Sequence, residues 1–136
     1  LPKKNRGVGF SRANKYGKDL KKYQIKQKKT IVIAIIENKK AYQNLDKILS
    51  VKELSGIFIG PYDLSASLGI CGNFESKVFK NALKEVKSKC NYHNVPFGMH
   101  LVEPSQKKLQ ILIDEGSLFI AYSMDSVMLS HFRPNF

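Results

Sequence analysis

Cysteine is scarce in this chain of 136 residues, tryptophan is absent, and arginine contributes only three of the 23 cations. Two cysteines, Cys71 and Cys90, are too few for a disulfide framework and lack metal-ligand spacing. No apolar run approaches the roughly 20 residues of a membrane helix, so no span is expected. The start, Leu1-Pro2-Lys3-Lys4-Asn5-Arg6, has no apolar stretch behind its charges and does not read as a signal peptide. A cytoplasmic, reduced setting is the expectation. Acids are also few: 11 against 23 Lys and Arg, for a formal net charge of +12.

That charge is concentrated at one end. Residues 1–30 hold 11 Lys and Arg and a single acid, Asp19, whereas residues 31–136 hold 12 cations and 10 acids. A basic lobe is one footprint of nucleic-acid or anionic-membrane binding. Readers of nucleic acid lean on arginine for bidentate contacts, and the lobe here is mostly lysine. We therefore read residues 1–29 as a solvated basic lead-in and expect neither a nucleic-acid nor a membrane partner.

From residue 30 the chain alternates between two kinds of block. Residues 30–36 (TIVIAII) form a β-branched run of the kind found in parallel strands buried on both faces. Residues 39–50 place Ala41, Leu45, Ile48 and Leu49 on one helix face. A second strand is expected at 56–60, a helix at 74–91, a third strand at 95–102, a helix at 104–115 stopped by Gly116, and a fourth strand at 117–123, followed by a short tail. Four β–α alternations with crossover helices predict an α/β protein with a parallel sheet, either an open doubly wound sheet or part of a (β/α)8 barrel. Glu37-Asn38-Lys39-Lys40 stands where a dinucleotide-binding fingerprint would follow the first strand, so a Rossmann site is not expected.

Chemistry in parallel α/β folds sits at the carboxyl ends of the strands. Strand one ends in Glu37, strand two in Gly60-Pro61-Tyr62-Asp63, and strand three carries His100 near its end. Glu37 and Asp63 are hard oxygen donors suited to one side of a divalent ion such as Mg2+ or Mn2+, with room for water and a chelating substrate. Their alternative role is to cap the helices after them. Gly60-Pro61 implies a sharp exit that aims the amides of Tyr62 and Asp63 at an anion. His100 is either a substrate ligand or base or a structurally satisfied ring. His93 and His131 read as surface residues.

Ile36-Glu37-Asn38, then residues 44–50 (NLDKILS), then residues 56–69 (GIFIGPYDLSASLG), form an ordered set that closely resembles the HpcH/HpaI aldolase family. Arg6-Gly7-Val8-Gly9 with Arg12-Ala13 and Tyr16-Gly17, Pro96-Phe97-Gly98, and residues 118–121 followed by Asp125 extend the resemblance over nearly the whole chain. The resemblance implies a (β/α)8 barrel, of which this chain would be the carboxyl-terminal half, residues 30–136 forming its last four β/α units. It also implies divalent-metal-dependent (class II) aldol chemistry between pyruvate, as an enolate, and an aldehyde, in an enzyme that is a homo-oligomer when complete. The metal would be Mg2+ or Mn2+, with Co2+ a further candidate. Glu37 and Asp63 match the family's metal-ligating carboxylates, and Tyr62 and Asp63 match the positions whose backbone meets the pyruvate carboxylate. His100 falls where relatives carry an apolar residue facing the aldehyde, which points to a hydroxylated aldehyde. Ile35 replaces a glutamine common in the family. The family's catalytic His and its pyruvate-binding Arg lie in the amino-terminal half, so no catalytic base is expected in this chain. A fragment, or a half-barrel remnant or subunit that needs a separate amino-terminal half, is the expectation, and a stable monomer would run against it.

Overall fold

The computed structural model describes residues 9–27 and 30–131 and divides into two compact units, residues 1–31 and 32–136. The first unit contains a 3-10 turn, Arg12–Asn14, and helix α1, Leu20–Gln27. Its organising residue is Asn14, whose side chain is buried. Asn14 Nδ2 donates to the Gly9 carbonyl (2.8 Å), and its Oδ1 accepts from the amides of Ser11 and Gly17 (3.0 Å each). A buried amide satisfied on both atoms holds a loop as a packed core would. It brackets Lys15, Tyr16 and Gly17, which all stand at positive φ.

The second unit is a four-stranded sheet with helices between the strands. Strands β1 (Ile33–Ile36), β2 (Gly56–Ile59), β3 (Phe97–Leu101) and β4 (Phe119–Tyr122) pair in sequence order and all in parallel. A doubly wound sheet reverses its strand order at a switch point. Sequential order without reversal is instead the arrangement of a barrel segment. Helices α2 (Lys39–Gln43) and α3 (Leu45–Leu49) link β1 to β2. Helices α4 (Pro61–Ser67) and α5 (Lys77–Tyr92) link β2 to β3, α6 (Gln106–Asp114) links β3 to β4, and α7 (Asp125–His131) comes after β4.

The core lies on one side of this sheet. Ile36, Ile57, Ile59 and Phe97 pack with Leu45 and Leu49 of α3, Leu64 of α4, and Phe79, Val86 and Cys90 of α5. Burial pushes the Cys90 thiol up to about 11. The other face tells against a doubly buried first strand: Ile33 and Ile35 are 43% and 54% exposed. The run 30–36 therefore serves one covered face and one uncovered face. Its apolar character on the second side suits a barrel interior, which only further strands can fill.

Several boundaries differ from expectation for local reasons. The helix expected over 39–50 breaks at Asn44, whose side chain donates to the Lys40 carbonyl (2.9 Å), a bond that competes with the helical ladder. The first strand shortens because Val32 is held by the Ser55 side chain, its N–H donating to Ser55 Oγ (3.1 Å), before the ladder begins. The helix expected from 74 starts at Lys77, where the Ser76 side chain accepts from Val78 N–H. It runs on to Tyr92, one residue beyond the expected end. The tail is not irregular throughout, since residues 125–131 form α7.

Candidate active site

Glu37 and Asp63 approach the same point, and that point is Gly60. A Cβ on Gly60 would stand 3.3 Å from Cβ of Glu37 and 3.8 Å from Oδ2 of Asp63. Glu37 follows β1 immediately, Gly60 follows β2, and the two strands pair with Ile36 opposite Ile59. The glycine thus leaves space beside the Glu37 Cβ and an Asp63 carboxylate oxygen. Both acids are exposed, and neither takes a hydrogen bond or ion pair from any described residue.

Capping of α2, the competing role for Glu37, falls to another residue, whereas Asp63 stands in the first turn of α4, where its charge favours the helix N-terminus. The N-cap of α2 is Asn38, whose side chain accepts from Ala41 N–H (2.8 Å). The N-cap position of α4 is Gly60, with no side-chain cap. Two exposed carboxylates at neighbouring strand ends suit a hard divalent ion that keeps water or substrate oxygens in its remaining positions. No group of three or more His, Cys, Asp or Glu gathers to hold a metal among the described residues.

Residues 61–67 form a helix where the sequence suggested only a turn. Pro61 at the first helical position is pre-set for helical φ and has no N–H to lose. Leu64 N–H closes the first helical bond to the Gly60 carbonyl (3.0 Å). The amides of Tyr62 and Asp63 lie ahead of that bond, outside the helix's own ladder. Buried Ser65 ties the helix to the loop after it, its Oγ donating to the Tyr62 carbonyl (2.8 Å) and accepting from Gly72 N–H (3.0 Å). The Tyr62 ring meets Phe74 edge to face at 4.9 Å.

His100 lies further along the sheet, near the end of β3. Its Nε2 is 3.2 Å from the Ser123 carbonyl at the end of β4. Strand alternation puts it on the uncovered face with Gly98, in the register row that carries Ala121. A cleft of about 420 Å3 opens between α4 and α6, with Tyr62, Phe74, Met99, His100 and Lys108 among its walls. It borders two of the expected substrate residues and neither carboxylate. The structure thus brings Glu37, Tyr62 and Asp63 to one corner and sets His100 beside β4. His93 stands part-exposed at the end of α5, its Nε2 3.7 Å from Asp46 Oδ1.

Two participants carry no clear mark in the sequence. Gly60 is legible there as a strand breaker, but its role as the space between the acids depends on β1–β2 register. Ser123 looks like the last residue of a strand. No local signal marks it as the seat of the carbonyl that meets His100.

A model of the HpcH/HpaI aldolase/citrate lyase family matches residues 2–131. A hydroxypyruvate/pyruvate aldolase of Roseobacter denitrificans is 33% identical over 131 residues, 94% of this chain and 50% of that protein. A 5-keto-4-deoxy-D-glucarate aldolase of Escherichia coli is 29% identical, over 91% of this chain and 48% of its own length. Among solved structures, an aldolase/citrate lyase family protein from Burkholderia cenocepacia superposes with a TM-score of 0.82 at 24% identity, over 93% of this chain and 49% of that one. An aldolase from Desulfitobacterium hafniense gives 0.74 at 24% identity, over 94% and 50%. At that identity the structural likeness establishes fold, and the fold is half of a (β/α)8 barrel. The chain spans about half the length of the curated relatives it matches. With the family model covering nearly every residue, the chain belongs to the HpcH/HpaI aldolase/citrate lyase family.

Proposed function

We propose that this chain supplies the metal-binding half of a class II pyruvate aldolase, which makes or breaks the carbon–carbon bond between pyruvate and an aldehyde. The observation that carries this reading is that two exposed acids at neighbouring strand ends, Glu37 through its Cβ and Asp63 through Oδ2, border the same Cβ-free space at Gly60. Both would hold a divalent ion, Mg2+ or Mn2+ with Co2+ also suited to the site. When bound, that ion supplies Lewis-acid stabilisation of the enolate oxygen of pyruvate. The open amides of Tyr62 and Asp63 receive the pyruvate carboxylate, orienting C3 toward the aldehyde carbon. Ile35, Phe58 and Phe119 line the same uncovered face and exclude water from the bond being formed. His100 contacts the aldehyde. The residue that moves the C3 proton belongs to the amino-terminal half of the barrel, as does the Arg that accompanies it.

The test uses the full-length protein. Glu37→Gln and Asp63→Asn should each lose retro-aldol release of pyruvate and the binding of Mn2+ followed by its electron paramagnetic resonance signal. Wild-type Mn2+ affinity in both variants would overturn the assignment.

One observation favours a second form of this reading, in which the barrel is completed by a separate polypeptide. Ile33 and Ile35 are exposed on the uncovered face, and β1 and β4 each have one unpaired edge among the described residues. Such a surface is a pairing template. Size-exclusion chromatography of this chain alone should show association or aggregation, and a well-folded monomer would remove it.

A further inference from the structure

Two serine hydroxyls on α4 reach the segments that carry the two acids. Ser65 is fully buried, and its Oγ donates to the Tyr62 carbonyl (2.8 Å) while accepting from Gly72 N–H (3.0 Å). Its own carbonyl accepts from Ile70 N–H (2.9 Å). Ser67 lies two positions further on, where its Oγ accepts from Lys39 N–H (2.9 Å), 28 positions away in the chain. Lys39 is the first residue of α2 and follows Glu37 by two.

Each bond acts on the backbone beneath one acid. The Tyr62 carbonyl and the Asp63 N–H belong to one planar peptide group, which ends at the Asp63 Cα. Gly72 N–H occupies a lone pair of Ser65 Oγ, so the hydroxyl hydrogen is left to the Tyr62 carbonyl. That bond restrains rotation of the peptide, and with it the direction in which the Asp63 side chain leaves the chain. A mid-helix serine bonded back to its own helix adds little to helix stability, so its use here is better read as placement. On the other side, Lys39 N–H is one of the first amides of α2 and has no acceptor within that helix. Ser67 supplies one, which pins the start of α2 to α4. Glu37 is thereby held between β1, where Ile36 pairs with Ile59, and a helix start tied to α4.

We propose that Ser65 and Ser67 are positioning residues for a divalent ion, Ser65 fixing the backbone of Asp63 and Ser67 that of Glu37. Neither hydroxyl touches a carboxylate, and a single short helix sets the spacing of both acids. This inference rests on the metal reading above for the ion and on α4 for the geometry.

Titration of the full-length protein with Mn2+, followed by its electron paramagnetic resonance signal, measures the effect apart from turnover. Ser65→Ala and Ser67→Ala should each weaken Mn2+ binding about three- to tenfold, the effect of one neutral hydrogen bond. Ser65→Cys, which fills the same space with a weaker donor, should lose affinity too. Ser67→Thr, which keeps a hydroxyl at an exposed position, should bind as the unsubstituted protein does. Ser105→Ala removes the side-chain cap of α6 and should lower the melting temperature while leaving Mn2+ affinity unchanged. Unchanged affinity in the alanine and cysteine variants of Ser65, or in Ser67→Ala, would overturn the role of that serine and leave the metal reading standing. An equal loss in Ser105→Ala, or no recovery in Ser67→Thr, would overturn the proposal by making the loss one of general stability. Failure of the unsubstituted protein to bind Mn2+ would overturn the metal reading and the positioning role together.

Discussion

Phe119 lies across Gly98. A Cβ on Gly98 would stand 2.1 Å from the Phe119 carbonyl oxygen and 2.4 Å from its ring, so no side chain fits at this position of β3. The gap lets the Phe119 ring of β4 reach over β3 and stack on Phe58 of β2, with centroids 6.0 Å apart and planes 17° from parallel. Gly98→Ala should therefore force β3 and β4 apart and destabilise the full-length protein by about 3 kcal/mol, at the upper end for overpacking. Chemical denaturation measures it, and a loss under about 0.5 kcal/mol, the scale of an ordinary surface substitution, would show that the strands yield freely.

Gly60→Ala poses a finer question. Its Cβ would press on Glu37 at 3.3 Å, a contact that a small side-chain shift relieves. Stability should change little, whereas Mn2+ affinity should drop by about tenfold as Glu37 is pushed out of line with Asp63. Isothermal titration separates the two effects. Equal affinity would mean that the acids do not share one ion.

The outer helices carry a polar network with a defined pH response. The Tyr42 hydroxyl donates to Glu85 of α5, Lys89 pairs with Glu85 (3.1 Å) and Asp46 (2.8 Å), and His93 faces Asp46. The hydrogen bond from Tyr42, with Lys89 beside it, holds the Glu85 carboxyl below its ordinary 4.5. The hydrogen bond from Lys89 lowers Asp46 below 3.8. Depressed carboxylates contribute stability that is complete above those ordinary values and is lost as pH falls through the folded ones. The hydrogen bond to Glu85 raises Tyr42 above 10, so its contribution is present below pH 10 and fades as pH rises through the folded value. Lys89→Met should flatten the acid limb of a stability–pH curve below pH 4.5. An unchanged limb would place the acid sensitivity elsewhere.

The two cysteines should separate by reactivity. Cys71 is exposed, while Cys90 is fully buried with its thiol raised to about 11. At about pH 8 a disulfide reagent should modify Cys71 promptly and reach Cys90 only on unfolding, since the thiolate is the reacting form. Prompt modification of both would mean that α5 opens readily from the sheet.

Much of the fold is legible in the chain itself. Alternating apolar runs and amphipathic helices place all four strands and the helices at 39–50, 74–91 and 104–115, because burial against a sheet imposes those periods on the residues. The helix at 61–67 is hidden, since Gly60-Pro61 reads equally as a turn and as a helix start. The break at Asn44 depends on whether a side chain bonds its own backbone, which composition does not reveal. At the site, Glu37 and Asp63 stand out as acids behind apolar runs. Glu37's freedom from capping does not, because it requires knowing that Asn38 takes that role.

The sequence by itself determined the parallel α/β order, the family, the lysine-rich lead-in and the acids at the strand ends, all of which depend on residues close together in the chain. Tertiary structure alone decided that Glu37 and Asp63 both border Gly60, that Phe119 covers Gly98, and that Ser123 turns its carbonyl onto His100. Each of these joins residues on neighbouring strands, 21 to 26 positions apart, and their meeting is set by strand register and by the absence or presence of one Cβ. Register is a property of the paired sheet, and no single strand contains it.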